Sequence, residues 1–174
     1  FADIAAVKKD PSEVRRFFKA FNDSFSDVYG FVPLDDKEIE DEAKRMLPYL
    51  SDKSSCMLLD GNDDIVAFGI SFPSISGALQ KAKGSLFPFG WIHMLKAKHD
   101  YETTDLMVNG AVRKWQNTGV SSVYYKEMGD KAIRIGNRWA VSNPQLESDS
   151  AANIWNCYEH EPYMRRRCYI KNID

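Results

Sequence analysis

The sequence predicts one α+β domain with a mixed, mostly antiparallel sheet, and three observations support this fold class. Residues 105–135 have the pattern of a buried strand, a short polar turn and a helix. Two apolar segments, 54–59 and 65–72, flank a turn rich in Asp, Gly and Asn, which predicts an antiparallel hairpin. The chain has 174 residues, of which 44% are hydrophobic, so it can bury a sizeable core.

The sequence pattern of the N-terminal third predicts a strand and two helices. Residues 3–7 are short and mostly apolar and suit a first strand. Asp10-Pro11-Ser12 marks the start of a helix, and the apolar residues that follow at helical spacing are Val14, Phe17, Phe18, Phe21 and Phe25. After a loop at 29–33, Asp35 or Asp36 can cap a second helix. Its buried face consists of Ile39, Ala43, Met46, Leu47 and Leu50.

Two segments follow the hairpin before the next strand. Residues 74–83 suit either a short helix or a loop, and residues 86–98 form an amphipathic segment. The apolar members of that segment are Leu86, Phe87, Phe89, Trp91, Ile92 and Leu95. Three interpretations of it remain open at this stage: a lid, a decorated connection, or a dimer contact.

The central feature is the polar turn Gln116–Ser121 between a strand at 105–112 and a helix. The helical stripe consists of Val120, Val123, Tyr124, Met128 and Lys131 and ends before Gly136. The turn leaves backbone N–H groups unpaired at the helix N-terminus, which suits a phosphate or pyrophosphate group. Gly119 allows the backbone to approach a ligand closely.

The C-terminal part predicts a strand, a helix and a closing strand. Residues 138–143 form the fifth strand, with Trp139 and Val141 on one face, and Pro144 interrupts it. Asp149 or Ser150 caps the helix, and residues 163–170 form the closing strand. The apolar residues of the helix are Ala151, Ile154, Trp155 and Tyr158.

Composition restricts the class of function. The chain has 23 basic and 25 acidic residues, a formal charge of −2, and no basic surface of the kind that nucleic acid requires. The side chains of Arg165–Arg167 would alternate between faces of an edge strand. His93, His99 and His160 lack metal-ligand spacing, and we expect no metal site.

Cysteine usage and hydropathy suggest the environment. The three cysteines form no C-x-x-C pair, which favours a reducing cytoplasm over a disulfide framework. No apolar run approaches the length of a membrane span, so we expect no membrane partner. The sequence begins at Phe1 rather than Met, so we expect either a processed or excised piece or further residues before it, and an N-terminal partner domain is one of the alternatives.

Three motifs resemble those of a known superfamily. Gln116, Gly119 and the small Ser121 resemble the Gln/Arg-x-x-Gly-x-Gly/Ala motif of the GNAT N-acyltransferases. Tyr29–Pro33 and Leu86–Gly90 are similar to the Trp/Tyr-Gly-Phe-Val-Pro and Leu-Phe-Pro-Phe-Gly segments of an uncharacterised bacterial GNAT-like group. The resemblance extends from about Val14 to Lys171. It implies the GNAT fold, with a three-layer α/β/α arrangement over residues 1–174.

The resemblance implies a site for acetyl-CoA or another acyl-CoA. In that superfamily the turn before the helix holds the pyrophosphate and the preceding strand pairs with the pantetheine arm. The corresponding residues are Gln116, Asn117, Thr118, Gly119, Val120 and Ser121 for the turn and Asn109, Gly110, Ala111 and Val112 for the strand. The alternative is an ordinary strand–helix turn that contains a glycine by chance.

The resemblance also suggests catalytic and acceptor-binding residues. Cys157–Tyr163 resembles the end of the superfamily's last helix, which makes Tyr158 the candidate proton donor to the leaving thiolate; it could equally be a core aromatic residue. Glu147 is the candidate base, with Asp149 next, although a carboxylate at a helix start is often a cap. Tyr29 and Phe31 either line the acceptor pocket or cover the core.

Three functions therefore remain open. The first is a cytoplasmic enzyme that transfers an acyl group from acyl-CoA to the amine of a small molecule or peptide. The second is a GNAT-like domain without turnover that acts as a binding or interaction module, as a homodimer or with an absent N-terminal domain. The third is an aminoacyl-tRNA-dependent transferase, for which the composition offers no basic face.

Overall fold

The computed structural model describes residues 1–147 and 150–171, which divide into two compact units, Phe1–Val141 and Ser142–Asp174. The strands are β1 Cys56–Leu59, β2 Ile65–Pro73, β3 Thr103–Ala111 and β4 Trp139–Ser142. The helices are α1 Ile4–Val7, α2 Pro11–Phe25, α3 Asp36–Met46, α4 Ser76–Lys81, α5 Gly90–Ala97 and α6 Val120–Ile135, with 3-10 helices at Arg113–Trp115 and Ser150–Cys157.

The sheet has the order β1-β2-β3-β4 and is mixed. β1 with β2, and β2 with β3, are antiparallel, as the sequence predicts. The carbonyl of Glu102, just before β3, accepts hydrogen bonds from the amides of Arg138 and Trp139 at 2.9 and 3.1 Å. Because β4 starts beside the start of β3 and pairs with it, the two strands run in the same direction.

The larger core lies between one face of the sheet and helices α1, α2 and α3. The predicted Phe stripe of α2 packs against Phe68 of β2, which is fully buried. The ring of Phe17 meets that of Phe68 edge-on at 5.1 Å between centroids. Ala43 of α3 and Leu50 complete this core, which confirms the predicted buried face of the second helix at those positions.

The smaller core lies on the opposite face, under α6. Val120, Tyr124 and Met128 of α6 pack against residues of β1, β2 and β3: Cys56, Val66, Ala67 and Ala111. Gly69 of β2 permits this approach, because a Cβ atom there would lie 2.1 Å from the sulfur of Met128. Helices on both faces of the sheet confirm the predicted layered α+β arrangement.

Local capping signals in the sequence are found where predicted. The Asp10 side chain accepts the amide of Ser12 at the start of α2, and Pro11 is in the first turn. Asp35 caps α3 through a capping box with Glu38, in which each side chain accepts the other's backbone amide. Gly136 ends α6 in the left-handed conformation, with φ of 72°.

Three predicted elements are wrong. Residues 3–7 form the short helix α1 rather than a strand, because the Asp3 carboxylate accepts the amides of Ala5 and Ala6 and caps a helical turn. The predicted C-terminal α-helix is a 3-10 helix, Ser150–Cys157, and Asp149 lies outside the described residues. Residues 163–170 form no strand, and Arg165–Arg167 therefore do not lie on an edge strand.

Candidate functional site

The turn between β3 and α6 has an unusual backbone conformation. After the 3-10 turn Arg113–Trp115, Asn117 has φ of 61° and Gly119 has φ of 85°, both left-handed. Gly119 is the N-cap of α6, and no side chain caps this helix. Left-handed geometry favours glycine, so the backbone conformation accounts for Gly119 at this position.

The N-terminus of α6 presents free amide groups to open space. The nearby bonds are from Thr118 to the Trp115 carbonyl and from Ser122 to the Gly119 carbonyl, at 3.4 and 3.0 Å. Within the described residues, the amides of Gly119, Val120 and Ser121 have no hydrogen-bond partner. A Cβ on Gly119 would have no atom within 4 Å. Free N–H groups at the positive end of a helix dipole suit an anion.

Gln116 fixes the position of this turn through its side chain. Its amide nitrogen donates to the carbonyls of Ser24 and Ala111, both at 3.0 Å. These carbonyls belong to the end of α2 and the end of β3. The structure therefore gives the Gln116 side chain a positioning role at the turn, with its donor group already occupied by the protein backbone.

Basic groups lie on the 3-10 turn immediately before Gln116. The Arg113 backbone amide donates to the Asp23 carboxylate at 2.9 Å, and its guanidinium group pairs with Asp27 at 3.0 Å. The Lys114 ammonium lies 5.6 Å from the centre of the Trp115 ring. Lys114 forms no ion pair with any residue that the structure describes, so its charge is available close to the free amides.

The predicted strand segment, Asn109 to Val112, lies at the end of β3 that leads into the turn. The Val112 amide bonds to the Val66 carbonyl at 2.9 Å, and Gly69 lies opposite Asn109. Because antiparallel pairs alternate, the backbone groups of Asn109 and Ala111 point away from β2. β4 has four residues and starts beside Glu102, so it is too short to cover this end of the nine-residue β3.

Asn109 also carries an unusual buried polar atom. Its side-chain oxygen is buried on the α6 side of the sheet and is the one buried side-chain acceptor without a partner among the described residues. It would lie 3.3 Å from a Cβ on Gly69. An unpaired buried acceptor is unfavourable and calls for a donor from a ligand or a water molecule.

Two aromatic residues are the ones that could block a ligand slot beside β3. Trp139 of β4 is 62% exposed. Tyr124 is buried in the core under α6, which also contains Cys56, Val66, Ala67 and Ala111. Burial raises the pKa of Tyr124 far above its ordinary value, although Ser121 donates a hydrogen bond to it. Tyr124 is therefore neutral and packed in the core beneath α6.

The two residues predicted to line an acceptor pocket have different surroundings. Phe31 contacts Phe21 and Phe25, with ring centroids 5.8 and 5.9 Å apart, and so extends the core. Tyr29 is 87% exposed. The structure therefore supports a core-covering role for Phe31 and leaves the Tyr29 side chain in solvent.

The two predicted catalytic residues lie in the unit that begins at Ser142. Tyr158 is 49% exposed, its amide bonds to the Trp155 carbonyl, and its ring lies 6.5 Å from that of Trp155. The Glu147 carboxylate lies 3.6 Å from Arg165, and both side chains are more than 80% exposed. Their roles in catalysis stay predictions.

Sequence reasoning missed Asp105 of β3, which lies on the sheet in the first unit. Asp105 is half-buried and lies opposite Phe72 of β2, so its side chain shares the face occupied by α2 and α3. Burial raises the pKa of this carboxyl, and a hydrogen bond from Ser74 partly offsets that effect. The signal in the sequence is an acidic residue at the first position of the predicted strand 105–112, where a strand boundary explains it equally well.

Within the described part of the chain, His, Cys, Asp and Glu side chains form no group that could hold a metal ion. No described helix has the length and apolar character needed to cross a bilayer.

Solved structures with the same architecture are acetyltransferases. A probable acetyltransferase has a TM-score of 0.59 and 12% identity, with 94% of both chains covered. The chain has the GNAT fold. The aminoglycoside acetyltransferase AAC(6')-Iy, in complex with a CoA-containing bisubstrate analogue, has a TM-score of 0.55 and 12% identity, covering 94% of both chains. Glucosamine-6-phosphate N-acetyltransferase from Arabidopsis thaliana has a TM-score of 0.54 and 9% identity, covering 91% and 94%.

Two curated relatives are similar in sequence, and no protein-family model matches the chain. The protein named bacterial ceramide synthase, from Caulobacter vibrioides, is 26% identical over 138 residues, which cover 75% of this chain and 35% of the relative. Protein YghO of Escherichia coli is 30% identical over 170 residues, covering 92% and 43%. The chain thus spans less than half the length of each relative.

Proposed function

We propose that the chain is an acyl-CoA-dependent N-acyltransferase domain that transfers an acyl group to an amine. The observation that carries this proposal is the uncapped N-terminus of α6, where the amides of Gly119, Val120 and Ser121 face open space. The terminus follows directly from the exposed end of β3. In a GNAT fold these two features suit the pyrophosphate and the pantetheine arm of one ligand.

The chain's residues fit acyl-CoA at three positions. Free amides of residues 119–121 would hold the pyrophosphate, and Lys114 would add a positive charge beside it. The outward backbone groups of Asn109 and the outward N–H of Ala111 would pair with the pantetheine arm, which is the pairing that an exposed strand edge offers. The Ala111 carbonyl already accepts from Gln116. The ligand would supply an activated thioester, and the residues of the turn and of β3 would hold it in position.

We assign the general base to Asp105. Ala111 lies six positions further along β3, a distance of about 20 Å that is comparable to an extended pantetheine arm. Its carboxylate would take the proton that the acceptor amine loses on attack. Burial raises the pKa of this carboxyl, and a raised pKa makes the ionised carboxylate a stronger base. Tyr158 stays the predicted donor to the leaving thiolate, and Glu147 the competing base.

For the acceptor we propose the amino group of a long-chain amine. One curated relative is named a ceramide synthase, and a ceramide contains a fatty acyl group in amide linkage to the amine of a long-chain base. This choice predicts that sphinganine is acylated in preference to a polar aminoglycoside. Thiol release from acetyl-CoA and from a long-chain acyl-CoA would be measured with each amine, and a preference for the aminoglycoside would contradict it.

The decisive test of the CoA site is calorimetric titration with CoA and acetyl-CoA. Gly119→Trp should abolish binding because its side chain fills the open space in front of the free amides. Gly84→Trp is the matched control, since Gly84 has φ of 73° and also has no atom within 4 Å of its Cβ position. Equal affinities for both variants and the parent chain would overturn the proposal.

The alternative is a binding domain that holds CoA without turnover. The exposure of Tyr158 and Glu147, at 49% and 85%, favours it, because exposed side chains are not preorganised for proton transfer. Binding that depends on Gly119, together with no thiol release from any acyl-CoA and amine pair, would establish this alternative.

A further inference from the structure

The connection between β2 and β3 places its large apolar residues in solvent. Its helices α4 and α5 bury small residues, Ala78 in α4 and Gly90 and Ala97 in α5. A Cβ on Gly90 would lie 1.9 Å from the Ser85 carbonyl oxygen, so the close packing of this segment depends on a small residue. The exposed residues are Leu79 (41%), Leu86 (57%), Phe87 (85%), Phe89 (68%), Trp91 (51%) and Leu95 (57%).

We call residues 76–99 the apolar-basic segment. It carries Lys81, Lys83, Lys96 and Lys98, and the sequence contains no Asp or Glu from Ile65 to His99. The whole chain has a formal charge of −2, so this segment opposes the charge of the rest of the protein. Lys81, Lys83 and Lys96 form no ion pair with any described residue, and Lys98 lies 5.7 Å from the Tyr49 ring centre.

The large apolar side chains occupy adjacent positions. Phe87 and Phe89 lie in the connection that leads into α5, and Trp91 and Leu95 are four residues apart on one side of that helix. The Trp91 indole N–H donates to the Pro88 carbonyl at 3.0 Å, which ties the ring to the backbone between the two phenylalanines. Lysines follow α4 and end α5, so the basic groups flank the apolar group.

We infer that the apolar-basic segment docks the protein on an anionic lipid bilayer. Exposed Phe, Trp and Leu side chains would enter the boundary between headgroups and acyl chains, and the flanking lysines would contact anionic headgroups. The apolar-basic segment would lie on the bilayer surface and needs no membrane-spanning helix. The charge complementarity identifies the occupant as an anionic bilayer, because a neutral bilayer would leave four lysines without counter-charges.

The experiment is co-sedimentation with vesicles of phosphatidylcholine alone and with 30% phosphatidylglycerol. We expect binding to the anionic vesicles, weakened by 0.5 M salt, and no more than weak binding to the neutral ones. Phe87→Ser with Phe89→Ser should reduce the partition coefficient by roughly tenfold or more because two large aromatic groups no longer enter the bilayer. Lys81→Glu with Lys83→Glu should reduce it by a similar factor on anionic vesicles.

Matched controls distinguish the segment from general surface effects. Val32→Ser with Ile133→Ser removes apolar groups that are 75% and 80% exposed elsewhere, and Lys19→Glu with Lys37→Glu reverses exposed charges outside the segment. Neither control should change binding by more than about twofold.

Three results would overturn the inference. The first is binding that is equal on neutral and anionic vesicles, and the second is binding that the Phe87 and Phe89 changes leave intact. The third is a concentration-dependent dimer in sedimentation velocity that the same changes dissociate, since a second copy would then cover the segment. Circular dichroism and thermal melting of each variant would show whether lost binding reflects lost folding.

Discussion

Asp105 differs from the charged side chains that cover the surface of this domain. It is half-buried on a strand, and burial raises the pKa of its carboxyl. Several other acidic residues pair with nearby basic groups in solvent, as Asp130 does with Lys126 at 2.6 Å. A buried carboxylate with an altered pKa inside a structure with an open ligand site is a candidate for catalysis on physical grounds.

Asp105→Asn should lower kcat/KM by roughly 100-fold or more because the amide cannot accept the proton of the attacking amine. The affinity for CoA should be unchanged, since Asp105 is remote from the turn at Gly119. Steady-state thiol release and calorimetry would measure the two quantities. Glu102→Gln is the control, because Glu102 is exposed and pairs with Arg138 just before the same strand. An active Asp105→Asn variant would exclude this residue as the base.

The pH dependence follows from the direction of the pKa shift. The activity of the parent chain should fall as the pH drops through the raised pKa of Asp105, since the protonated carboxyl is not a base.

Folding stability should depend on pH in the opposite direction and be higher at low pH. The folded state holds the proton more tightly than the unfolded state, so the free energy of unfolding decreases as pH rises from the ordinary pKa to the raised one. Asp105→Asn should remove both dependences, as activity profiles and urea denaturation at several pH values would show.

Cys56 should be inert in the folded protein. It is 1% exposed beneath α6, and burial raises the pKa of its thiol to about 11. Cys157 and Cys168 are exposed. Reaction with a disulfide reagent at pH 8 should therefore modify two thiols rapidly and the third only after denaturation. Rapid modification of all three would show that the contact between α6 and β1 opens readily.

The capping box of helix α3 can be tested by a single substitution. Asp35→Ala removes one half of the capping box and should lower the free energy of unfolding by about 1 kcal/mol. Asp36→Ala is the control, because Asp36 lies in the first turn and makes no capping hydrogen bond. Urea denaturation would measure both. Equal losses would assign the effect to charge near the helix N-terminus rather than to the cap.

The elements that the sequence predicts well carry their determinants within a few residues. The cap at Asp35, the hairpin turn at 60–64 and the glycines that bound α6 depend on local backbone chemistry, and all are found. The predictions that fail at 3–7 and 163–170 concern strands, which require a partner that a local pattern does not identify. The sequence does not predict the burial of Asp105 for a related reason. Its neighbours Phe72 and Ser74 are distant in sequence.

For the whole molecule, stability depends mainly on the core beneath α2. Phe68 is fully buried and contacts aromatic rings of α2, so Phe68→Ala should lower the free energy of unfolding by about 3–5 kcal/mol. Ile133→Ala, at a position that is 80% exposed, should change it by less than about 0.5 kcal/mol. Chemical denaturation would measure both, and a small effect at Phe68 would mean that the core can collapse around the cavity.

The side chain of Gln116 joins three parts of the molecule at one nitrogen atom: the end of α2, the end of β3 and the turn before α6. Arg113 adds two further bonds to the same end of α2, through Asp23 and Asp27. A rigid-body shift of α2 therefore pulls on the backbone of the turn, and a shift of the turn pulls on α2. We therefore expect the end of α2 and the turn to move together. A displacement of the loop that follows α2 should then displace the N-terminus of α6 through these direct bonds.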